Sequence, residues 1–323
     1  MLRKCYLLTL GLLIFTLYVQ DTLARSVDQS TSHSIEQSMD QSKQTKVRTK
    51  ELTCLVYDNE LTEEGLLNVD NAQRYNNAVK DAMSIEEDEL LPLVSLEQGS
   101  PMASFDEQGR VLLLTMHSYP DSYVTGSEFN LRYQCWTFTD KEFISWYKSH
   151  KSNVSNWKLR IHQLLGMPES RGHNYISAMW VDPKDVIRPA YRTDVYNTQS
   201  ASSFTQANEK TTGIQTDKSS KKAIDTNEVT YPYAGMNMKM YEQWFDGNII
   251  SSYFKQTPFP WTRLGYSYDW YYAINQDGNN GPNEYGMSEF IIPVNSAVKV
   301  EYTLTIDEFI SKIAKKVSEE SEP

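Results

Sequence analysis

Residues 104–118 read SFDEQGRVLLLTMHS, and the architecture that the sequence predicts follows from this stretch. Residues 106–109 combine Asp, Glu, Gln and Gly in the manner of a tight turn. The run VLLLTM that follows is apolar at successive positions, which is typical of a strand buried on both faces of a sheet. The stretch therefore predicts a β-hairpin whose second arm is a central strand.

Strands and helices are both predicted on either side of this hairpin. The strand-like runs are 53–57, 131–137, 175–181 and 298–303, with a second hairpin formed by 263–274 and 284–293. The helical patterns are 70–83, 140–150, 155–166, 236–254 and 305–317. Hairpin signals outnumber strand–helix–strand alternation, so we predict an α+β fold with a mainly antiparallel sheet and several packed helices.

The N-terminus has the three-part pattern of a secretory signal peptide. Arg3 and Lys4 precede an apolar run over residues 5–19, and Thr22 and Ala24 place small residues at the spacing that signal peptidase cleaves. The alternative, a short membrane anchor, is disfavoured because the run is shorter than the roughly 20 apolar residues that span a bilayer. We therefore expect residues 1–24 to be removed.

The rest of the chain divides by composition. Residues 25–50 are rich in Ser and Gln, with too little apolar surface to offset ordering entropy, which predicts a disordered spacer. Residues 51–318 are expected to form a single α+β domain with a mobile polar excursion at about 197–229. Residues 319–323 are expected to fray.

The charge and hydropathy of the chain limit its partners. The formal net charge of −11 makes nucleic acid an unfavourable partner, because like charges repel at long range. No segment after the signal peptide is apolar for long enough to span a membrane. These features predict a secreted or periplasmic bacterial protein with no integral membrane segment after cleavage, whose partner is an unidentified ligand or protein.

Removal of the signal peptide leaves two cysteines, Cys54 and Cys135, both in strand-like runs. In an oxidising compartment a lone pair is most simply a disulfide, which would contribute on the order of 4 kcal/mol by restricting the unfolded chain. Two unpaired buried thiols are the alternative. A catalytic cysteine is disfavoured, because no local Cys–His signature accompanies either residue.

The sequence contains no motif for nucleotide binding, a serine hydrolase, a zinc protease or a paired-cysteine site. Whether the protein is an enzyme therefore stays open, and no cofactor is predicted. The loop 275–283 (NQDGNNGPN) has alternating oxygen ligands, but Asn280 and Gly286 stand where a calcium loop needs Gly and Glu. It is interpreted as a hairpin loop, and no metal site is predicted.

Three candidate binding residues lie in two regions at the ends of predicted strands. Residues 180–194 read WVDPKDVIRPAYRTD, and the alternating charges make Asp185 and Arg188 candidates, since functional groups often lie on loops at strand ends. The favoured alternative is a loop held by internal ion pairs. His117 is a further candidate because it ends the run VLLLTMH, and strand ends often line clefts.

The most aromatic stretch, residues 260–272, reads PWTRLGYSYDWYY. As part of a strand over 263–274 it alternates completely, with most rings on one face as in a protein core. The opposite face consists of Arg263, Ser267, Asp269 and Tyr271. Arg263 and Tyr271 are therefore candidate binding residues. Asp269, together with Glu289 across the predicted hairpin, is a candidate catalytic residue.

We therefore expect an exported soluble protein with a binding or interaction role that uses its aromatic-rich C-terminal sheet. One alternative is an exported hydrolase, with Asp269 and Glu289 as a general acid–base pair on the 263–290 hairpin. The other is a structural protein of the cell envelope, tethered by the N-terminal spacer.

Overall fold

A computed structural model describes residues 70–208, 237–274 and 285–320, all within the compact unit Asn59–Pro323. The helices of these residues are α1 Asn71–Asp81, α2 Asp140–His150, α3 Trp157–Leu164, α4 Phe204–Asn208, α5 Met238–Tyr253 and α6 Ile306–Glu319. The strands are β1 Val111–His117, β2 Glu128–Asn130, β3 Cys135–Thr139, β4 Tyr175–Val181, β5 Tyr266–Tyr268, β6 Tyr285–Ser288, β7 Phe290–Ile292 and β8 Ala297–Thr305.

Six of the strands form one antiparallel sheet in the order β2-β8-β4-β1-β3-β7. The predicted turn before β1 is present, closed by the hydrogen bond from Asp106 N to Arg110 O at 3.0 Å. Its first arm is shorter than predicted, since Phe105 makes only an isolated bridge to Val111. All seven residues of β1 are buried, as the run VLLLTM predicts.

The two faces of this sheet are covered differently. Leu112, Leu114 and Met116 face the helical side, where α2, α3 and α6 contribute Phe143, Ile161 and other apolar residues to one core. Val111 and Leu113 face a second core, built with side chains from the loops around Leu96, Leu131 and Val195. Helices therefore bury one face of β1, and loops bury the other. An α+β fold with an antiparallel sheet and packed helices is confirmed.

The helix ends follow the capping signals in the sequence. Asp70 begins α1 and accepts a hydrogen bond from Gln73 N at 2.7 Å through its side chain. Thr305 and Glu308 form a capping box at the start of α6, in which each side chain bonds the other residue's backbone N–H. These bonds satisfy backbone donors that a helix leaves free in its first turn.

The predicted strand over residues 263–274 is wrong. Arg263 and Gly265 both have positive φ, 66° and 96°, and this conformation breaks the pleat before Tyr266. After only three residues of β5, a short 3₁₀ turn (Trp270–Tyr272) begins, capped by the hydrogen bond from Tyr271 N to Asp269 Oδ1 at 3.2 Å. The predicted hairpin is present in reduced form, since β5 pairs with β6.

Several expectations lie outside the described residues. These are the signal peptide (1–24), the spacer (25–50), Cys54 and its predicted strand, residues 209–229 of the polar excursion, and the loop 275–283. Residues 197–208 of the excursion are described, and Phe204 packs its ring against Phe245 with centroids 5.1 Å apart.

Cys135 is a free, buried thiol in this structure, so the predicted disulfide is not found among the described residues. Within the same ranges, no helix combines the length and apolar character needed to cross a bilayer.

Candidate functional site

A cavity of about 500 Å³ lies where β1 and β3 separate. The two strands pair only at Leu113–Thr139 and Leu114–Phe138. Continuing this register would bring residues 115–117 opposite residues 135–137, but these pairs are not formed. Instead both segments line the cavity, which therefore lies beside the point where the pairing of β1 and β3 ends. Residues 165–167 after α3 and residues 257–261 after α5 form other parts of its wall.

Aromatic rings make up much of this wall. Trp136 and Trp261 meet edge to face with ring centroids 6.2 Å apart. Phe259 also lines the cavity, and the guanidinium of Arg171 lies over its ring at 4.9 Å. Such walls suit the apolar body of a ligand, because burying rings and aliphatic groups against each other removes them from water.

Glu289 lines the cavity at the junction between β6 and β7. Its backbone N–H donates to Gly265 O at 2.9 Å, which fixes the position of the residue. Its Oε2 is shielded from solvent and has no hydrogen-bond partner among the described residues. Burial raises the pKa of Glu289 to about 8, so its carboxyl group is mainly protonated at neutral pH.

Two further residues of the wall carry shielded polar atoms without partners in the described part of the chain. They are Gln134, through Oε1, and Trp261, through Nε1. Unsatisfied buried polar groups are uncommon in folded proteins, because each one loses its bonds to water without replacement. Three of them belong to residues that line one cavity, where each of the three atoms is closed off from water and meets a bound molecule only after its side chain turns.

His117 lines the cavity, but both of its ring nitrogens are engaged. Nδ1 accepts from the backbone N–H of Tyr119 at 3.0 Å, which leaves the ring proton on Nε2. Nε2 then donates to Ser177 Oγ at 2.7 Å, and Ser177 lies 2.6 Å from Thr303 Oγ1. Burial, with a smaller effect of His173, lowers the pKa of His117 to about 4. The ring is therefore neutral and held in place.

The cavity also has ionisable side chains in its wall. Arg171 and Lys255 line it with exposed side chains. His173, which also lines it, bonds Ser118 Oγ at 2.8 Å through Nδ1. Burial, followed by the charges of neighbouring groups, lowers the pKa of His173 to about 4. Both histidines are thus uncharged at neutral pH, and the formal positive charges of the cavity lining lie at exposed positions.

Asp269 is not part of this cavity. Its carboxylate binds the guanidinium of Arg160 in two hydrogen bonds of 2.8 and 2.5 Å, and both side chains are buried. The structure therefore does not bring Asp269 and Glu289 together as a pair. Tyr271 also lies by this ion pair, with the guanidiniums of Arg160 and Arg74 at 4.9 and 5.1 Å from its ring.

The remaining candidates from the sequence also lie away from the cavity lining. Arg263 is buried and donates to Ala82 O at 2.7 Å. Arg188 is fully buried and donates to Val94 O at 2.8 Å, with its guanidinium 5.0 Å from the ring of Phe290. Asp185 ends a 3₁₀ turn after β4, where burial raises its pKa. Arg188 and Arg263 have structural contacts that anchor loops.

Of the residues that the sequence pointed to, His117, Glu289 and Cys135 line the cavity. Trp261 lies at the edge of the aromatic stretch that drew attention in the sequence. No local sequence pattern marks Gln134 or Trp136 as a functional residue, because their role depends on the separation of β1 from β3. Among the described residues, no group of three or more His, Cys, Asp or Glu is arranged to hold a metal ion.

The chain was also compared with known proteins. No protein-family model matches it, and no curated protein or solved structure matches it either.

Proposed function

We propose that this protein is an exported binding protein that holds a small, mainly apolar molecule in the cavity between β1 and β3. The observation that carries the proposal is the cavity itself, with unsatisfied polar atoms on three of its lining residues. A volume of about 500 Å³ falls in the range of roughly 300–1,000 Å³ typical of ligand pockets. Export rests on the signal-peptide pattern of residues 1–24.

The composition of the wall supports a binding role. Rings such as Trp136 and Phe259 provide apolar contact area, while Glu289, Gln134 and Trp261 provide a few polar groups that orient a ligand. Each buried polar group without a partner costs about 1–3 kcal/mol. A molecule that bonds to these groups recovers part of that free energy, which adds directional specificity to the apolar contacts.

The hydrolase alternative has less support. It requires a second carboxylate beside Glu289, but Asp269 neutralises Arg160 elsewhere. Of the two histidines in the wall, His117 has both nitrogens committed to hydrogen bonds, and His173 is a weak proton acceptor because burial lowers its pKa to about 4. A binding role needs neither a proton acceptor nor a nucleophile, so it agrees better with this set of groups.

Two neighbouring positions on α5 provide the test. Ser251 lines the cavity, whereas Ile250 is 63% exposed and does not. Ser251→Trp should fill the cavity, and Ile250→Trp should add the same ring outside it. We expect a panel of neutral, cationic and anionic aromatic fragments, screened by ligand-observed NMR, to include binders of the wild type.

The same fragments should bind Ile250→Trp as they bind the wild type, and bind Ser251→Trp about tenfold more weakly or not at all, equivalent to about 1.4 kcal/mol or more. A panel without binders, or equal binding to both variants, would contradict the proposed cavity. Circular dichroism of both variants checks that each is folded.

A further inference from the structure

We infer that the molecule held in this cavity is a primary amine with an apolar, ring-containing body, and that its ammonium group pairs with the carboxylate of Glu289. The inference rests on the proposed function, and it goes further by assigning the charge and the chemical class of the ligand.

Glu289 has no cationic partner among the described residues. No ion pair within the described residues involves its carboxyl group, and burial alone accounts for its raised pKa. Arg171 and Lys255 line the same cavity with exposed side chains, and neither offsets this effect, because burial is the one cause of the raised pKa of Glu289. A ligand cation would therefore be the first positive charge next to this carboxyl group.

The unpaired polar atoms of the wall residues differ in whether they donate or accept hydrogen bonds. Once Glu289 is ionised, its Oε2 and Gln134 Oε1 are both acceptors without donors in the described part of the chain. A primary ammonium group has three N–H donors and can serve both residues at once. A neutral alcohol has a single O–H donor, and a ligand carboxylate has none. These two acceptors therefore fit an ammonium group better than either of these, whereas the third unpaired atom, Trp261 Nε1, is a donor that needs an acceptor elsewhere on the ligand.

The aromatic rings of the cavity wall also favour a positively charged ligand. Trp136, Trp261 and Tyr123 all line the cavity, and the faces of aromatic rings attract cations. This attraction is larger at desolvated sites than at exposed ones. The rings that accommodate an apolar body therefore also favour a positive charge at its end.

A carboxyl group at position 289, in place of an amide, also favours a cationic ligand. A neutral ligand would obtain equivalent hydrogen bonds from an amide, which has no charged form to desolvate. A carboxyl group gains over an amide only when a cation is present to stabilise its ionised form. His117 and His173 add no competing charge, because burial keeps both rings neutral at physiological pH.

The test uses three probes that share a phenylethyl body and differ in one group. Phenethylamine carries an ammonium, phenethyl alcohol a hydroxyl, and hydrocinnamate a carboxylate. Their dissociation constants are measured by calorimetry or NMR titration at neutral pH, on the wild type and on Glu289→Gln. A charge-assisted hydrogen bond is stronger than a neutral one, so we expect the amine to bind the wild type about tenfold more tightly than the alcohol, or better.

In Glu289→Gln this preference should disappear, while the affinity for the alcohol stays within about twofold, equivalent to about 0.4 kcal/mol. Retained binding of the alcohol also shows that the variant is folded.

Alcohol or carboxylate binding as tight as that of the amine would overturn the inference and leave the proposed function standing. An amine preference that persists in Glu289→Gln would overturn the assigned partner. Absence of binding by all three probes would overturn the inference, and with the fragment panel also negative, the proposed function as well.

Discussion

Arg160 and Asp269 form a buried two-point ion pair that joins α3 to the segment following β5. Their side chains are 7% and 1% exposed. The guanidinium also lies 4.9 Å from the rings of both Trp146 and Tyr271. Each charge thus has little contact with water and depends on the other for its stabilisation.

Removing one member of this pair should destabilise the fold strongly. Asp269→Asn keeps the shape of the side chain but leaves the Arg160 guanidinium buried without a counter-charge. We expect the free energy of unfolding to fall by about 3–5 kcal/mol. Chemical denaturation followed by tryptophan fluorescence measures this change.

The matched control is the exposed ion pair between Lys148 and Glu320, in which both side chains are 45% exposed. Glu320→Gln should leave the denaturation midpoint nearly unchanged, because water and salt screen this pair. Equal effects of Asp269→Asn and Glu320→Gln would show that the Arg160–Asp269 pair is not a determinant of stability.

Much of the fold was predictable because it depends on local patterns. The continuous apolar run of β1 predicted a strand buried on both faces, and the helical pattern over 305–317 predicted α6. The stretch around Asp269 was not predictable in the same way. Its alternation agreed with a long strand, but the positive φ at Arg263 and Gly265 depends on tertiary packing. A Cβ at Gly265 would meet the Arg188 side chain, which lies far away in sequence.

Gly286 in β6 should be required for packing. A Cβ built there would collide with Leu164 O and Ser267 Oγ, two atoms held by their own hydrogen bond of 2.7 Å. Because one of these atoms belongs to the backbone, neither can move cheaply. Gly286→Ala should therefore lower the free energy of unfolding by roughly 1–3 kcal/mol, the usual cost of overpacking.

Gly247 in α5 provides the contrast, since a Cβ there meets open space. Gly247→Ala should stabilise the protein by up to about 1 kcal/mol through the higher helix propensity of Ala. Thermal unfolding of both variants gives the comparison. A harmless Gly286→Ala would show that α3 and β5 lie farther from β6 than the structure indicates.

Cys135 should carry a free thiol in the native protein. Its side chain is 6% exposed and lies 3.8 Å from the hydroxyl of Tyr123. Burial raises the pKa of this thiol, which keeps it protonated and slow to react. Alkylation in denaturant without a reductant, followed by peptide mass spectrometry, should modify Cys135. A peptide linking Cys54 to Cys135 would instead establish the bridge that the sequence predicted.

The candidate site was only partly predictable from the sequence. Glu289 was considered because it lies across the hairpin from Asp269, yet the structure places the two residues in separate surroundings. Residues such as Gln134 and Trp136 matter because β3 leaves β1 after two residue pairs. No periodicity records such a separation, since it depends on tertiary packing and not on the local pattern of either strand.

The carboxyl group of Glu289 should make stability depend on pH. Its pKa is raised from 4.5 to about 8 in the folded protein, so the folded state retains a proton that the unfolded chain releases. The contribution of this group to stability is therefore full below about pH 4.5 and is lost as the pH rises towards 8. The loss is at most about 1.4 kcal/mol per pH unit, and contact with the solvent in the cavity reduces it.

Glu289→Gln removes this titration and leaves the other ionisable groups in place. The free energy of unfolding of the variant, minus that of the wild type, should therefore increase from pH 5 to about pH 8 and then level off. Urea denaturation of both proteins across this range measures the difference. A constant difference would mean that Glu289 titrates near its ordinary value, and that its carboxyl group already has a stabilising partner in the protein.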